Sequence, residues 1–295
     1  MVGAAQGQGC SVTRIAVVGA GGMLGTDLMR ALSDHDATAL TRNELDITDA
    51  DAAVEVLSGY DVLVNASAYT RVDDAESDEE NAHLVNAVGP HNLALAAARH
   101  GSRLVQLSTD YVFDGTATEP YPEDAPRHPV SAYGRTKAAG ELLALEHNPG
   151  RTAIVRTAWL YGKHGSSFPR TMLKLAADRD TLDVVNDQLG QPTWTGDLAA
   201  QIVALIDAGT PSGIFHGTNA GRASWFDLAQ AVFVCAGLDP DRVKPTDSSA
   251  FQRPAPRPSF SVLGHRAWLD AGIEPMRDWK QALQAAFDSG ALTAE

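Results

Sequence analysis

The chain has 295 residues, long enough for one large domain or a domain with an appended lobe. Hydrophobic residues make up 44% of it and the net charge is −14, a balance that argues against general nucleic-acid or anionic-membrane binding. Cys10 and Cys235 are the only cysteines, which argues against a structural disulfide or a cysteine metal site and suits a reducing cytoplasm. No apolar run approaches the ~20 residues of a membrane span. Residues 1–12 are polar and glycine-rich, without a basic region or an apolar core, and read as a disordered tail.

Arg14-Ile15-Ala16-Val17-Val18 reads as the first strand. A glycine turn follows, with Gly19, Gly22 and Gly25 evenly spaced and Gly21 also present, and then a helix to about Leu32. Strand, glycine turn and helix in that order suit a nucleotide. The glycines let backbone N–H groups reach a pyrophosphate at the helix N-terminus. Thr38-Ala39-Leu40 reads as the second strand, followed by Arg42. An arginine there tolerates a ribose 2′-phosphate and points to NADPH, with NADH left open; the alternative is a solvated loop arginine. Asp46 is placed to accept from an adenine amino group, or Thr48 caps a helix over about 49–58.

Asp61 to Asn65 reads as the third strand, and the small residues after it let a cofactor lie close. A helical stretch covers about 77–99, with an expected kink at Gly89-Pro90. Its Asn86 is either a buried brace or a surface residue. The fourth strand, 103–107, ends in Ser108-Thr109-Asp110-Tyr111. The proline-rich segment 114–130 is a loop. Beyond it, Tyr133 and Lys137 stand four apart, on one face of a helix. An ammonium beside a phenol is expected to lower the phenol's pKa and ease proton transfer. A hydroxyl from Ser108 or Thr109 could hold a carbonyl oxygen next to it.

The fifth strand, 153–156, leads to Thr157-Ala158-Trp159. Further elements are expected at about 167–178 (helix), 182–185 (strand), 195–208 (helix), 213–216 (strand), 225–236 (helix, capped by Ser224) and 277–289 (helix). Between them lie a polar loop, Asp187 to Thr193, and a proline-rich segment carrying Arg253 and Arg257. Those arginines could meet a diphosphate or sit in a solvated basic loop. The predicted fold class is α/β: a Rossmann-like doubly wound parallel sheet with a smaller C-terminal α/β substrate lobe. Residues 13–160 would be mainly the dinucleotide-binding domain and 161–295 mainly the lobe, with some elements returning to the first. The strand ends carrying Gly19, Asn65, Ser108 and Thr157 are expected to face one crevice.

Taken together, the Gly19–Gly25 turn, Ala68-Tyr69-Thr70, the run Ser108 to Gly115, Tyr133 to Lys137, the loop Asp187-Gln188-Leu189-Gly190-Gln191-Pro192-Thr193 and Arg257-Pro258 resemble the extended short-chain dehydrogenase/reductases. Within them the chain is most similar to the dTDP-4-dehydrorhamnose reductases, over nearly the whole length after the tail. The resemblance implies that Gly19, Gly22, Met23 and Leu24 touch a cofactor diphosphate. It places Asp46 and Ile47 at the adenine and Ala68, Tyr69 and Thr70 at the nicotinamide half. Tyr133 would donate a proton, Lys137 would hold the nicotinamide ribose and tune Tyr133, and Thr109 would bond the reacting C4 carbonyl. Asp110, Trp159 and Arg257 would meet a dTDP-sugar substrate. Some members of the family bridge a homodimer through magnesium held by acidic residues. Here Asp27 sits where one such residue would lie, conservatively changed, and near the second position the chain has Gly196 with Asp197 next to it, so no dedicated metal site is expected. A second enzyme reading is another nucleotide-sugar 4-ketoreductase or epimerase. A third is a non-catalytic NADP-binding subunit like that of methionine adenosyltransferase; the complete Thr109/Tyr133/Lys137 set favours an enzyme.

Overall fold

The computed structural model describes residues 12–293, so the expected tail, apart from Val12, lies outside the described residues. The β-branched run Arg14–Val18 forms β1, and the glycine turn leads into α1 (Met23–Ala31). Then come β2 (Asp36–Leu40), α2 (Ala50–Val56), β3 (Val62–Asn65), α3 (Glu79–His83), α4 (Gly89–His100), β4 (Arg103–Thr109), α5 (Ala132–His147) and β5 (Thr152–Thr157). The rest of the chain gives β6 (Leu160–Tyr161), α6 (Phe168–Asp178), β7 (Leu182–Val185), β8 (Leu189–Gly190), β9 (Thr193–Trp194), α7 (Thr195–Asp207) and β10 (Gly213–His216). It ends with β11 (Ala223–Ser224), α8 (Trp225–Cys235), β12 (Val243–Thr246), α9 (Arg266–Asp270) and α10 (Trp279–Asp288).

The central sheet has six strands in the order β10-β5-β4-β3-β1-β2. Every pairing in it is parallel. A parallel sheet must be covered on both faces. One face packs Ile15, Val17, Val64, Val105 and Val155 against α1 and α7 through Leu24, Leu28, Leu198 and Ile202. The other packs Ala16, Val18, Leu63, Leu104 and Ile154 against α2 and α4. The α/β doubly wound class is therefore as the sequence predicts. The strand order reverses between β1 and β3, which is where such sheets open a crevice at their carboxyl ends. A separate apolar core joins α6, α8 and α10 with β7 through Leu173, Leu182, Phe233 and Leu283.

Two local expectations are corrected. Asp49, not Thr48, caps α2 by accepting from the Ala52 N–H at 3.0 Å. The Gly89-Pro90 kink is instead a π-helical turn at Leu84–Val88, after which Pro90 sits harmlessly in the first turn of α4. The strand expected at 182–185 is present as β7, and it pairs with β12 in its own two-stranded sheet, where Pro245 needs no second partner. The Ser224 cap is present and forms a full capping box with Asp227.

Candidate active site

The glycine turn is tight for a steric reason. Gly19 has φ +80°, and a Cβ there would come within 2.6 Å of the Ser67 backbone nitrogen. A Cβ on Gly25 would come within 2.2 Å of the Gly19 carbonyl oxygen. Side chains at either place would push the turn off the sheet. Gly22 caps α1 without any side chain, and no acidic residue sits in the first turn. The first N–H groups of α1 are thus left facing outward, suited to an anion.

Beside the turn, Arg42, Asp46, Ile47, Ala68, Tyr69 and Thr70 line a cleft of about 330 Å³. Arg42 is largely exposed and reaches Asp46 Oδ2 at 3.2 Å. Hydrogen bonds from the Thr48 N–H and hydroxyl, with help from Arg42, hold the Asp46 carboxyl below its usual range. Ile47 is buried, and its side chain fills the space that any residue larger than Gly89 would take. Asn86 proves to be a buried brace. Its Oδ1 accepts from the Tyr69 N–H at 2.9 Å, and its amide donates to the Tyr69 carbonyl at 3.0 Å and to Thr136 Oγ1 at 3.2 Å. The cofactor-side loop is thereby tied to α5.

Asn65 does not face the crevice as expected. It is fully buried, donates to Gln106 Oε1 at 2.8 Å, and accepts from the Ser67 N–H at 3.0 Å, so it shapes the loop from beneath. Ser108 and Thr109 alternate in direction, as neighbours on a strand must. Ser108 lies beside Glu141, whereas Thr109 lies beside Tyr133. Ser131 caps α5, placing Tyr133 in its first turn and Lys137 one turn on. Lys137 is buried and donates from Nζ to the Leu107 carbonyl at 2.7 Å. Burial lowers it to about 8, against the opposing charge of Glu141.

The expected acidification of Tyr133 is not found. Burial raises its pKa, and the charge of Asp110 adds to this; the Thr109 hydroxyl opposes it. Lys137 donates to the Leu107 carbonyl and is not among the groups that set the acidity of the phenol. Burial thus favours the protonated phenol, the form that can give a proton.

Gly19, Gly22, Met23, Leu24, Thr109, Asp110, Tyr133, Lys137 and Trp159 all line one crevice of about 780 Å³. Arg257 stands outside that lining. It pairs with Asp73 at 2.9 Å and lies over the Tyr111 ring, whose edge meets Tyr133 at a centroid distance of 5.6 Å. Arg253 is exposed. Trp159 has φ +47°, a costly conformation for a non-glycine residue. Its indole stacks on Trp225 at 3.5 Å and 8°.

The match to the RmlD substrate binding domain covers residues 13–291. The chain belongs to this family. A "probable dTDP-4,6-dihydroxy-2-methyloxan-3-one 4-ketoreductase" of Streptomyces antibioticus is 51% identical over 93% of this chain and 94% of its own. The dTDP-4-dehydrorhamnose reductase of Mycolicibacterium smegmatis is 48% identical over 92% of this chain and 84% of its own. The crystal structure of dTDP-4-dehydrorhamnose reductase from Bacillus anthracis in complex with NADP superposes with a TM-score of 0.90 at 35% identity, covering 94% of this chain and 99% of that one.

Several residues of this family member escaped the sequence reading. Trp225 gives no signal of its own, being the first residue of an apolar helix. Gln188 holds it, accepting from its indole N–H at 3.1 Å. The family loop's Gly190 now has a physical reason: a Cβ there would come within 2.5 Å of the Trp159 ring. Glu141 and Arg156 form a fully buried pair at 2.8 Å behind the site. Of the acidic residues considered for a metal, Asp27 accepts from the Thr195 hydroxyl at 2.5 Å and Asp197 pairs with Arg277. Among the described residues no group of three His, Cys, Asp or Glu could hold a metal ion, and no helix is long and apolar enough to cross a membrane.

Proposed function

We propose that the chain reduces the C4 ketone of dTDP-4-dehydro-L-rhamnose to dTDP-L-rhamnose, using NADPH. The observation that carries this is the meeting of Thr109, Tyr133 and Lys137 in the crevice that the glycine turn opens. The residues fit such a cofactor: the N-terminus of α1, without a side-chain cap, suits its diphosphate, and Arg42, which lines the neighbouring cleft, would meet a 2′-phosphate. When bound, the reduced nicotinamide supplies the hydride. Tyr133 holds the proton that the C4 oxygen requires, and its raised pKa keeps that proton in place until charge develops on the oxygen. Lys137 would keep two donors free of the Leu107 carbonyl for the cofactor ribose and for the phenol oxygen once it has lost its proton. Thr109 supplies an oriented donor to the carbonyl. Trp159 would wall the sugar, and Arg257 would meet the diphosphate by exchanging Asp73 for it.

The Streptomyces antibioticus relative supports a second reading, in which the sugar is another dTDP-linked 4-ketosugar. The chemistry of the site is the same in both. A non-catalytic subunit would need neither Tyr133 nor Thr109 at a crevice wall.

Tyr133→Phe tests the reading. Turnover is expected to drop by at least ~10²-fold while NADPH still binds. Near-normal turnover would remove Tyr133 from the mechanism.

A further inference from the structure

A threonine hydroxyl has one proton to give. Thr109 gives its proton to Asp110 Oδ1 at 2.9 Å, and accepts the Tyr111 N–H at 3.2 Å. Bonded this way, Thr109 offers the crevice only lone-pair density, which repels a carbonyl oxygen. It cannot donate to a substrate ketone while it donates to Asp110. Asp110 is 2% exposed, and its Oδ2 is buried with no well-formed hydrogen bond, although the Ser261 hydroxyl lies nearby. A buried carboxylate oxygen without a donor is costly. A proton on that carboxyl removes the buried charge and so lowers the cost.

We propose that Asp110 is a positioning residue that sets the direction of the Thr109 hydrogen bond. As a carboxylate it keeps the Thr109 proton. As a carboxylic acid it donates its own proton to Thr109 Oγ1, and the Thr109 proton then turns to the crevice and the ketone oxygen. The extra proton comes from solvent and stays on Asp110; no bond in the substrate changes in this step. The ketone rests on the reductase reading, but the switch in the substrate-free protein does not.

The surroundings of Asp110 suit this role. Thr109 precedes it at the end of β4, Tyr111 follows it in the same 3₁₀ turn, Tyr133 faces it from α5, and Ser261 from the C-terminal part of the chain. Arg257 and Asp73 reach the far side of Tyr111. Both phenols are kept neutral by burial, and no cation is among the groups that set the acidity of Asp110. Burial holds the Asp110 carboxyl up at about 6, with Ser261 and Thr109 opposing.

The test is kcat/KM for the 4-ketosugar from about pH 5 to about pH 8 in the wild type, Asp110→Asn, Thr109→Val and Thr109→Ser. The wild type should lose activity as pH rises through about 6, down to a floor on the order of 10²-fold lower, the worth of one donor to the developing oxyanion. Asp110→Asn carries a permanent amide donor and should lack this fall. Thr109→Val should also lack it, and lie near the floor throughout. Thr109→Ser should keep it. A fall that persists unchanged in Asp110→Asn or in Thr109→Val overturns the proposal. If Asp110→Asn does not fold, the Val and Ser variants carry the same comparison.

Infrared difference spectroscopy supplies the readout that needs no substrate. The carbonyl stretch of a protonated carboxyl should fade as pH rises through about 6 in the wild type and be missing in Asp110→Asn. In Thr109→Val its midpoint should move up, because a donor to the carboxylate is gone. An unmoved midpoint, or a band retained in Asp110→Asn, overturns the switch. Failure of the reductase reading would show instead as no turnover in any variant, with the infrared result intact.

Discussion

Thr109, Tyr133 and Lys137 were readable one residue at a time because their chemistry is scarce: a phenol and an ammonium one helical turn apart, and a hydroxyl at a strand end. Their acidities were not readable. Spacing says that Lys137 is near Tyr133, but only the fold says that its ammonium donates to the Leu107 carbonyl and that burial dominates the phenol. The same limit explains Asp49. Thr48 and Asp49 are both good caps, and what decides is that Thr48 is already bound to Asp46. Arg42 gives a prediction at this scale. Its pair with Asp46 is an exposed one, worth ~0–1 kcal/mol, so a 2′-phosphate can outbid the carboxylate. A charge-assisted bond is worth about 1.5–3 kcal/mol. Arg42→Ala should therefore lower the NADPH-to-NADH ratio of kcat/KM by roughly 10-fold or more; an unchanged ratio would remove Arg42 from cofactor choice.

Among the elements, the long ones were legible and the short ones were not. Hydrophobic runs mark β1, β3, β4 and β5, and periodicity marks α1, α4 and α7. The two-residue strands β6, β8, β9 and β11 carry no pattern, since tertiary packing alone creates them. Segment 77–99 shows why helix type is hard to read. The irregular turn lies where Asn86 is buried, in a π-helical turn at Leu84–Val88, and the proline that follows sits in the first turn of α4. Asn86 ties the Tyr69 loop to α5 through both its amide and its carbonyl, so Asn86→Leu should leave the Tyr69 N–H and C=O without partners. Each costs ~1–3 kcal/mol when buried. The variant should melt lower and bind NADPH at least ~10-fold more weakly. A variant with NADPH affinity unchanged would show that the brace serves stability alone.

At the scale of the whole molecule, the order of strands places chemistry from distant parts of the chain at one sheet edge. Gly19 follows β1, Ala68 follows β3, Thr109 ends β4 and Trp159 follows β5. The alternation of strands and helices made that much foreseeable. What it hid was the support behind the site. Arg156 donates to Glu141 through two nitrogens, to the Glu123 carbonyl, and meets His216 at 3.3 Å. A fully buried arginine within an apolar strand shows no such network in its sequence, because its partners come from α5, the proline-rich loop and β10. Burial, then the Arg156 charge, lowers His216 to about 3, so it packs there neutral. This frame suits a 4-ketosugar reductase. The most direct measurement is the absorbance of reduced nicotinamide in a mixture of the protein, NADPH and dTDP-4-dehydro-L-rhamnose formed in place by the epimerase that makes it. Rapid loss of absorbance that depends on the epimerase is the predicted result. Steady absorbance, with NADPH bound to the protein, would contradict it.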